Sequence, residues 1–212
     1  MKKKNINKLI IILAVLFISV FISIPVFAQS NAFTASMGVC FPFGISYGMT
    51  PGTHLQFSFG KDFDESVFYG LGLDMIFTGI KWTNSTLDAT ADSNSFMLPF
   101  YAQLRIRFPF DSLPFSVFGN AGIGYSLYFD LVDPLASSTS VTQQTVTYGG
   151  FYWFVNFGIG FMLGSRTDGQ IILQIAADKL NKAGTIAADY PSVDTLNVFV
   201  LSLIFSIRFF RL

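Results

Sequence analysis

His54 is the only histidine in the sequence, and its neighbours suggest acid–base chemistry. Ser58 follows four residues later, and a histidine beside a serine can activate the hydroxyl as a nucleophile. If both residues lie on one strand, however, about 13 Å separates them at roughly 3.3 Å per residue, which is too far for a hydrogen bond. Asp74, in the next apolar segment, could lie nearer to the ring. The alternative is a histidine bonded to water or to a loop.

A second set of polar side chains is scattered through apolar segments. On the inner wall of a closed structure, arginines could form a constriction that selects anions, as rings of cationic side chains do in pores. Alternatively, the same residues could form internal salt bridges and hydrogen bonds that fill the interior. The set comprises Arg105, Arg107, Arg208, Asp74, Asp178, Asn120 and Asn156.

The segments that carry these residues alternate strictly. From Phe33 to Met49 every second residue is apolar or aromatic, and the residues between are small or weakly polar. A period of two indicates a strand with one apolar face and one face of small or weakly polar residues, which we call the lean face. Thr50-Pro51-Gly52 then predicts a tight turn, and Pro42 predicts a bulge or a break within this first strand.

The same alternation recurs to the end of the chain and predicts eight antiparallel strands. Short links are expected after the second, fourth and sixth strands, and long polar links at 81–94, 130–147 and 179–194. This parity is typical of an up-and-down transmembrane β-barrel with periplasmic termini, short periplasmic turns and long external loops. The fold class predicted is therefore an all-β, eight-stranded antiparallel barrel.

The N-terminal residues indicate export. Four lysines precede an apolar run from Leu9 to Ile24, and Val26-Phe27-Ala28 has the pattern of a cleavage site. We therefore predict a signal peptide at 1–28 and a barrel at 29–212. Without the four lysines, nine basic residues face thirteen acidic ones, and no basic patch supports nucleic-acid binding. Cys40, the only cysteine, is interpreted as a small strand residue and not as a lipidation site.

Composition indicates which face meets lipid. The chain is 51% hydrophobic and only 12% charged, whereas a soluble domain carries roughly 25% charged residues. An arginine facing the lipid midplane costs about 2–4 kcal/mol, and all three arginines of the polar set fall on the lean face. The apolar face therefore meets outer-membrane lipid, and the lean face lines an interior just wide enough for side chains to fill.

Two segments resemble a known family. Leu113–Tyr125 (LPFSVFGNAGIGY) is similar to the mid-barrel signature of small opacity-type outer-membrane proteins, which include the OmpX-like and OmpA-like barrels, and Asn156–Phe161 is a related piece. The resemblance implies a bacterial outer-membrane location more than an activity, because members serve as adhesion or evasion factors, small pores or envelope anchors. The chain departs from the family at its C-terminus, where Arg211 and Leu212 follow the usual aromatic residue.

Three functions remain open. The favoured one is a barrel with a largely filled lumen and a structural or surface-interaction role, with a surface ligand or a host or envelope partner bound by the long loops. The second is a narrow channel for small solutes with Arg105 and Arg107 at its constriction. The third is a lipid-modifying enzyme that uses His54. No metal-binding or nucleotide motif is present, so no cofactor and no metal are predicted.

Overall fold

The computed structural model describes residues 30–44, 48–63, 66–84, 89–110, 114–132, 144–183 and 195–210. They form eight strands: β1 Ser30–Gly44, β2 Gly48–Asp62, β3 Val67–Asn84, β4 Ala89–Pro109, β5 Phe115–Val132, β6 Gln144–Gly164, β7 Thr167–Lys182 and β8 Thr195–Phe210. The predicted signal peptide at 1–28 and the C-terminal Arg211 and Leu212 lie outside the described residues.

The eight strands close into one antiparallel barrel in chain order, and β8 pairs with β1. A closed sheet satisfies the backbone hydrogen-bonding groups of every strand without leaving an edge, as a structure in hydrocarbon requires. The predicted all-β, eight-stranded barrel is thus confirmed. We call the end that holds Ser30, Phe210 and the β2–β3, β4–β5 and β6–β7 connections the termini end, and the opposite end the loop end.

Alternation separates the two faces of the wall as the sequence predicts. On β6, Phe151, Val155 and Phe157 are exposed on the outer surface, whereas Tyr152 and Asn156 between them are buried. The outer surface of the described strands is almost wholly apolar, and their inner surface holds the buried polar and charged side chains. The described residues include no helix long and apolar enough to cross a membrane.

The first hairpin differs from the prediction. β1 ends at Gly44, and Thr50-Pro51-Gly52 lies within β2 instead of forming the turn. Thr50 pairs with Gly79 and Thr53 with Phe77, so two residues of β2 face Thr78 alone and form a β-bulge. The side chain of Thr78 donates to the carbonyl of Thr50 at 2.6 Å and stabilises the bulge. A Pro-Gly pair signals a break in regular pairing, and a bulge is such a break without a reversal of the chain.

The bulge or break predicted at Pro42 does not occur in the pairing of β1 with β8. The register between β1 and β8 runs without a shift through the pair Pro42–Val200. The paired register with β2 ends at Cys40–Gly52, so at Pro42 the ladder continues only with β8. Cys40 is fully buried on the inner side of β1, as expected of a small strand residue.

The long links are shorter than predicted. Most of 81–94 belongs to strands, because β3 reaches Asn84, β4 starts at Ala89, and these two residues pair. Paired strand also covers the ends of 130–147 and 179–194, which leaves 133–143 and 184–194 outside the described residues. Strands of 18 and 21 residues in β3 and β4 exceed the roughly 9–11 needed to span a bilayer. Polar strand ends that project into water resemble loops in sequence.

Candidate functional site in the barrel lumen

A buried carboxylate on β3 organises the middle of the lumen. The hydroxyl of Tyr101 donates to Oδ1 of Asp74 at 2.7 Å, and that of Tyr152 donates to Oδ2 at 2.9 Å. Nε2 of Gln174 lies 3.4 Å from Oδ2 and 3.2 Å from the hydroxyl of Tyr152. Hydrogen bonds to a carboxylate are stronger than those between neutral groups, so Asp74 holds side chains from three other strands.

His54 completes this cluster: it lies beside Asp74, as the sequence suggested, and its serine partner is Ser202 and not Ser58. Its Nδ1 lies 2.9 Å from Oγ of Ser202, and its Nε2 lies 3.1 Å from Oδ2 of Asp74. The order Ser202–His54–Asp74 is that of a catalytic triad, but the two ring nitrogens are exchanged: Nδ1 faces the serine and Nε2 faces the aspartate. The side chains of His54 and Asp74 are wholly inaccessible, however, and Ser202 is fully buried. The three residues therefore form a buried unit that a substrate cannot reach in this conformation, with a hydrogen bond between His54 and Ser202 and a close contact between His54 and Asp74.

His54 lies near the middle of β2, because this 15-residue strand begins at Gly48 and includes the bulge. Ser202 was missed because it is 148 residues away in the chain and only the closure of β8 onto β1 brings it near. Ser58 is buried on the same inner face, further toward the termini end. We use the name Asp74 network for His54, Asp74, Tyr101, Tyr152, Gln174 and Ser202.

The two predicted asparagines contribute amide hydrogen bonds around this network. Nδ2 of Asn156 lies 3.4 Å from Oε1 of Gln174, which also accepts from Gln56 at 3.2 Å. Nδ2 of Asn120 donates to Oε1 of Gln103 at 2.7 Å. Asn156 thus joins the Asp74 network, while Asn120 links β5 to β4 beside it.

The three arginines lie at the termini end, and two of them pair with aspartates outside the predicted set. Arg107 forms an ion pair with Asp168, and Arg208 forms one with Asp62. Both aspartates fall where the sequence predicts short links, after the second and the sixth strand. Extending the alternation of β2 and β7 by one step would have placed Asp62 and Asp168 on the inner face. We call Arg105, Arg107, Arg208, Asp62 and Asp168 the arginine cluster.

Arg105 differs from the other two arginines. It is 2% exposed, and its Nη1 donates to the neutral oxygen of Gln170 at 3.3 Å. Its guanidinium also lies 4.8 Å from the ring centroid of Phe118 and 5.5 Å from that of Phe68. A cation over an aromatic face gains about 0.5–2 kcal/mol, which replaces only part of what a carboxylate partner would supply.

Asp178, which we expected in the same network, stands apart. It is buried on β7 opposite Tyr152, and neither carboxylate oxygen accepts a hydrogen bond from the described part of the chain. The internal salt bridges therefore form between the arginines and Asp62 or Asp168, and not with Asp74 or Asp178 as the predicted set implied. No group of three or more histidine, cysteine or acidic side chains is placed to hold a metal among the described residues.

Aromatic side chains fill the lumen toward the loop end. The rings of Tyr101 and Phe154 lie 4.8 Å apart, centroid to centroid, and those of Tyr128 and Tyr148 lie 5.7 Å apart. Edge and tilted contacts of this kind add to the free energy gained from burial. Within the described residues, the largest fully buried side chains are Arg105, Tyr101, Tyr128, Tyr148, Tyr152, Phe68, Phe118 and Phe154.

Solved structures with similar folds are small membrane barrels. Neisserial surface protein A aligns at a TM-score of 0.55 with 13% identity, over 85% of this chain and 96% of its own. The outer membrane protein OprG from Pseudomonas aeruginosa aligns at 0.50 with 14% identity, over 87% and 97% of the two chains. At these identities the likeness shows the fold alone. No curated protein matches the chain significantly in sequence.

The sequence itself places the chain in a family. Residues 13–203 match the family described as the outer membrane protein beta-barrel domain, which covers nearly the whole chain and every strand except the end of β8. The family and the similar structures indicate the bacterial outer membrane, which agrees with the apolar outer surface of the barrel. The chain therefore belongs to the outer membrane protein β-barrel family.

Proposed function

We propose that this outer-membrane barrel has a closed lumen and acts at the cell surface through its external links. The observation that carries the proposal is the Asp74 network, which joins β2, β3, β4, β6, β7 and β8 across the lumen. A separate 3.0 Å hydrogen bond joins Ser36 on β1 to Ser206 on β8. Opening a pore through this network would leave several buried polar groups unpaired, each at a cost of about 1–3 kcal/mol.

The arginine cluster closes the lumen a second time at the termini end. Two of the three guanidiniums are engaged by carboxylates, and the third is flanked by Phe68 and Phe118. Bulky side chains that are already paired do not leave the open ring of charges that a selective constriction needs. This favours a plugged barrel over the predicted arginine-lined channel.

Because the lumen is closed, we assign surface interaction to the links at the loop end. Exposed connections on a rigid scaffold are where binding sites commonly lie, and 81–94, 130–147 and 179–194 all emerge at this end. We propose that a surface ligand or a host or envelope partner binds there, and that the protein is not an enzyme. The inaccessibility of Ser202, His54 and Asp74 supports the second statement.

Single-channel recording tests the closed lumen. Protein purified from outer membranes and inserted into a planar bilayer should show no steady conductance, while its shifted migration on unheated gels shows that it is folded. A reproducible conductance that changes in an Arg105→Gln, Arg107→Gln variant would contradict the proposal and favour the channel.

Deletion of 133–143 tests the surface role separately. Cells that display the shortened protein should lose adhesion to whichever immobilised glycan or protein retains cells with the intact protein, and the silent electrical behaviour should not change. Unchanged adhesion after this deletion and after deletion of 184–194 would contradict a role for these links.

A further inference from the structure

A groove lies in the outer wall of the barrel, where β4, β5 and β6 run side by side. Its volume is about 630 Å³, within the roughly 300–1,000 Å³ that small-molecule sites occupy. Ala102 and Ala121 form its floor, because both are exposed on the outer face and carry only a methyl group. Larger apolar side chains border this floor: Leu104, Ile123, Trp153 and Val155. Since none of the described lining residues is charged, the groove suits an apolar occupant.

The register of the three strands produces the groove. Ala121 pairs with Leu104 on β4 and with Val155 on β6, while Ala102 pairs with Ile123. The two alanines are therefore diagonal neighbours on one face, about 7–8 Å apart, with a large side chain beside each. This face belongs to the apolar surface that meets the bilayer, so the hydrocarbon chains of lipids surround the open side of the groove.

A lysine lies on the same outer face, where the apolar surface ends. Lys179 is exposed, and it pairs with Phe151, which lines the groove on the side of the loop end. Its partner on β8, Asn197, is also exposed, whereas the outward residues of β7 nearer mid-barrel, Ile175 and Leu173, are apolar. Because a lysine extends its ammonium group toward water, this group lies at the level where hydrocarbon gives way to lipid headgroups.

A cation beside an apolar groove matches the two parts of an anionic lipid. An ammonium group near the membrane surface attracts anionic headgroups, and the groove accepts hydrocarbon. We propose that the groove and Lys179 together bind one lipid with an anionic phosphate headgroup. One acyl chain of this lipid lies over Ala102 and Ala121, and its phosphate pairs with the ammonium group of Lys179.

Charge distinguishes this occupant from a second copy of the barrel. Every aspartate whose side chain is described is buried or turned toward the lumen, as Asp62 is in its ion pair with Arg208. The described outer surface of another copy therefore brings apolar side chains to the groove and no carboxylate to Lys179. None of the ion pairs among the described residues includes Lys179.

Quenching of Trp153 fluorescence by a brominated lipid tests the site. Trp153 borders the groove, and in a Trp82→Phe background it is the only tryptophan. Protein purified from outer membranes in a neutral detergent is titrated with phosphatidylglycerol whose acyl chains are brominated, and the quenching should saturate at one lipid per barrel. Phosphatidylcholine with the same chains should bind about fivefold more weakly, because its choline group offsets the charge that Lys179 recognises.

Two variants test the two parts of the site. Lys179→Gln should remove the preference for phosphatidylglycerol, whereas Lys61→Gln, which removes a lysine near the termini end, should retain it. Ala121→Leu should lower the affinity for both lipids by about threefold or more, because the longer side chain displaces the acyl chain from several van der Waals contacts at once. Ala35→Leu is the matched control, since Ala35 lies on the outer face of β1 and does not border the groove.

Every variant should show the gel shift of a folded barrel. Absence of saturable quenching in folded protein would overturn the proposal, as would equal affinities for the two lipids or an unchanged affinity in Ala121→Leu. A preference for phosphatidylglycerol that survives Lys179→Gln would overturn the pairing of the phosphate with this lysine.

Discussion

At the scale of single residues, Asp74 is the group that depends most on the hydrogen-bond donors around it. It is completely buried, and two tyrosine hydroxyls and one amide donate to it. A buried carboxylate is tolerated where its oxygens accept several hydrogen bonds. The tyrosines depend on Asp74 in turn, because each buries a hydroxyl that needs an acceptor.

Replacing Asp74 with alanine should therefore destabilise the barrel by about 2–5 kcal/mol, since two buried hydroxyls lose their acceptor at once. Tyr152→Phe removes one donor and leaves Asp74 bonded to Tyr101, so it should cost only about 1 kcal/mol. Urea unfolding in lipid vesicles, followed by tryptophan fluorescence, measures both values. Equal stabilities of the two variants would contradict the central role of Asp74.

At the scale of elements, the bulge in β2 sets the register of the first hairpin. A β-carbon on Gly52 would lie 1.9 Å from the backbone oxygen of Phe77, which only a shift of a strand could relieve. Across the same irregularity the side chain of Thr78 donates to the carbonyl of Thr50, and the side chain of Thr50 accepts from the backbone N–H of Gly79. Glycine at this position is thus required by the close approach of β3 to the bulge.

Gly52→Ala should lower the free energy of unfolding by about 2 kcal/mol or more, because the clash involves backbone and not a movable side chain. Gly119→Ala on β5 is the matched control: its methyl group would meet Phe157 at an ordinary 3.8 Å. This control should leave stability within about 1 kcal/mol of the parent. The experiment is unfolding of folded barrels in vesicles. An undiminished stability of Gly52→Ala would show that β2 is not bulged at this point.

The features that the sequence predicts well belong to the scale of single strands. Alternation fixes which residue of a strand faces lipid, so strand number, closure and the inner position of Arg105 and Asn156 were accessible. Alternation does not fix where a polar strand ends, so Asn84 and Ala89 were assigned to a loop although they pair. Nor does it reveal partners across a lumen: the contact of His54 with Ser202 depends on the barrel's circumference and register, which no local pattern encodes.

At the scale of the whole molecule, the barrel separates two solvents. Among the described residues, the outer surface is largely apolar around the circumference, while the buried polar groups line the inner face. This is the reverse of a soluble barrel, and it makes the lipid bilayer the medium that the fold requires. The free-energy cost of a charged substitution on the outer surface should therefore depend on how deep the residue lies in the membrane.

Val155 and Leu163 allow this depth dependence to be tested on one strand. Both lie on the outer surface of β6, but Val155 pairs with Ala121 and Ile175 at mid-barrel, whereas Leu163 lies beside the β6–β7 connection. Val155→Arg should cost about 2–4 kcal/mol, and Leu163→Arg about 0–1 kcal/mol, because the second guanidinium reaches the interface. Unfolding in vesicles measures the difference. Equal costs would mean that the bilayer does not cover β6 as its apolar face indicates, whereas the expected gradient would position the arginine cluster near the interface at the termini end.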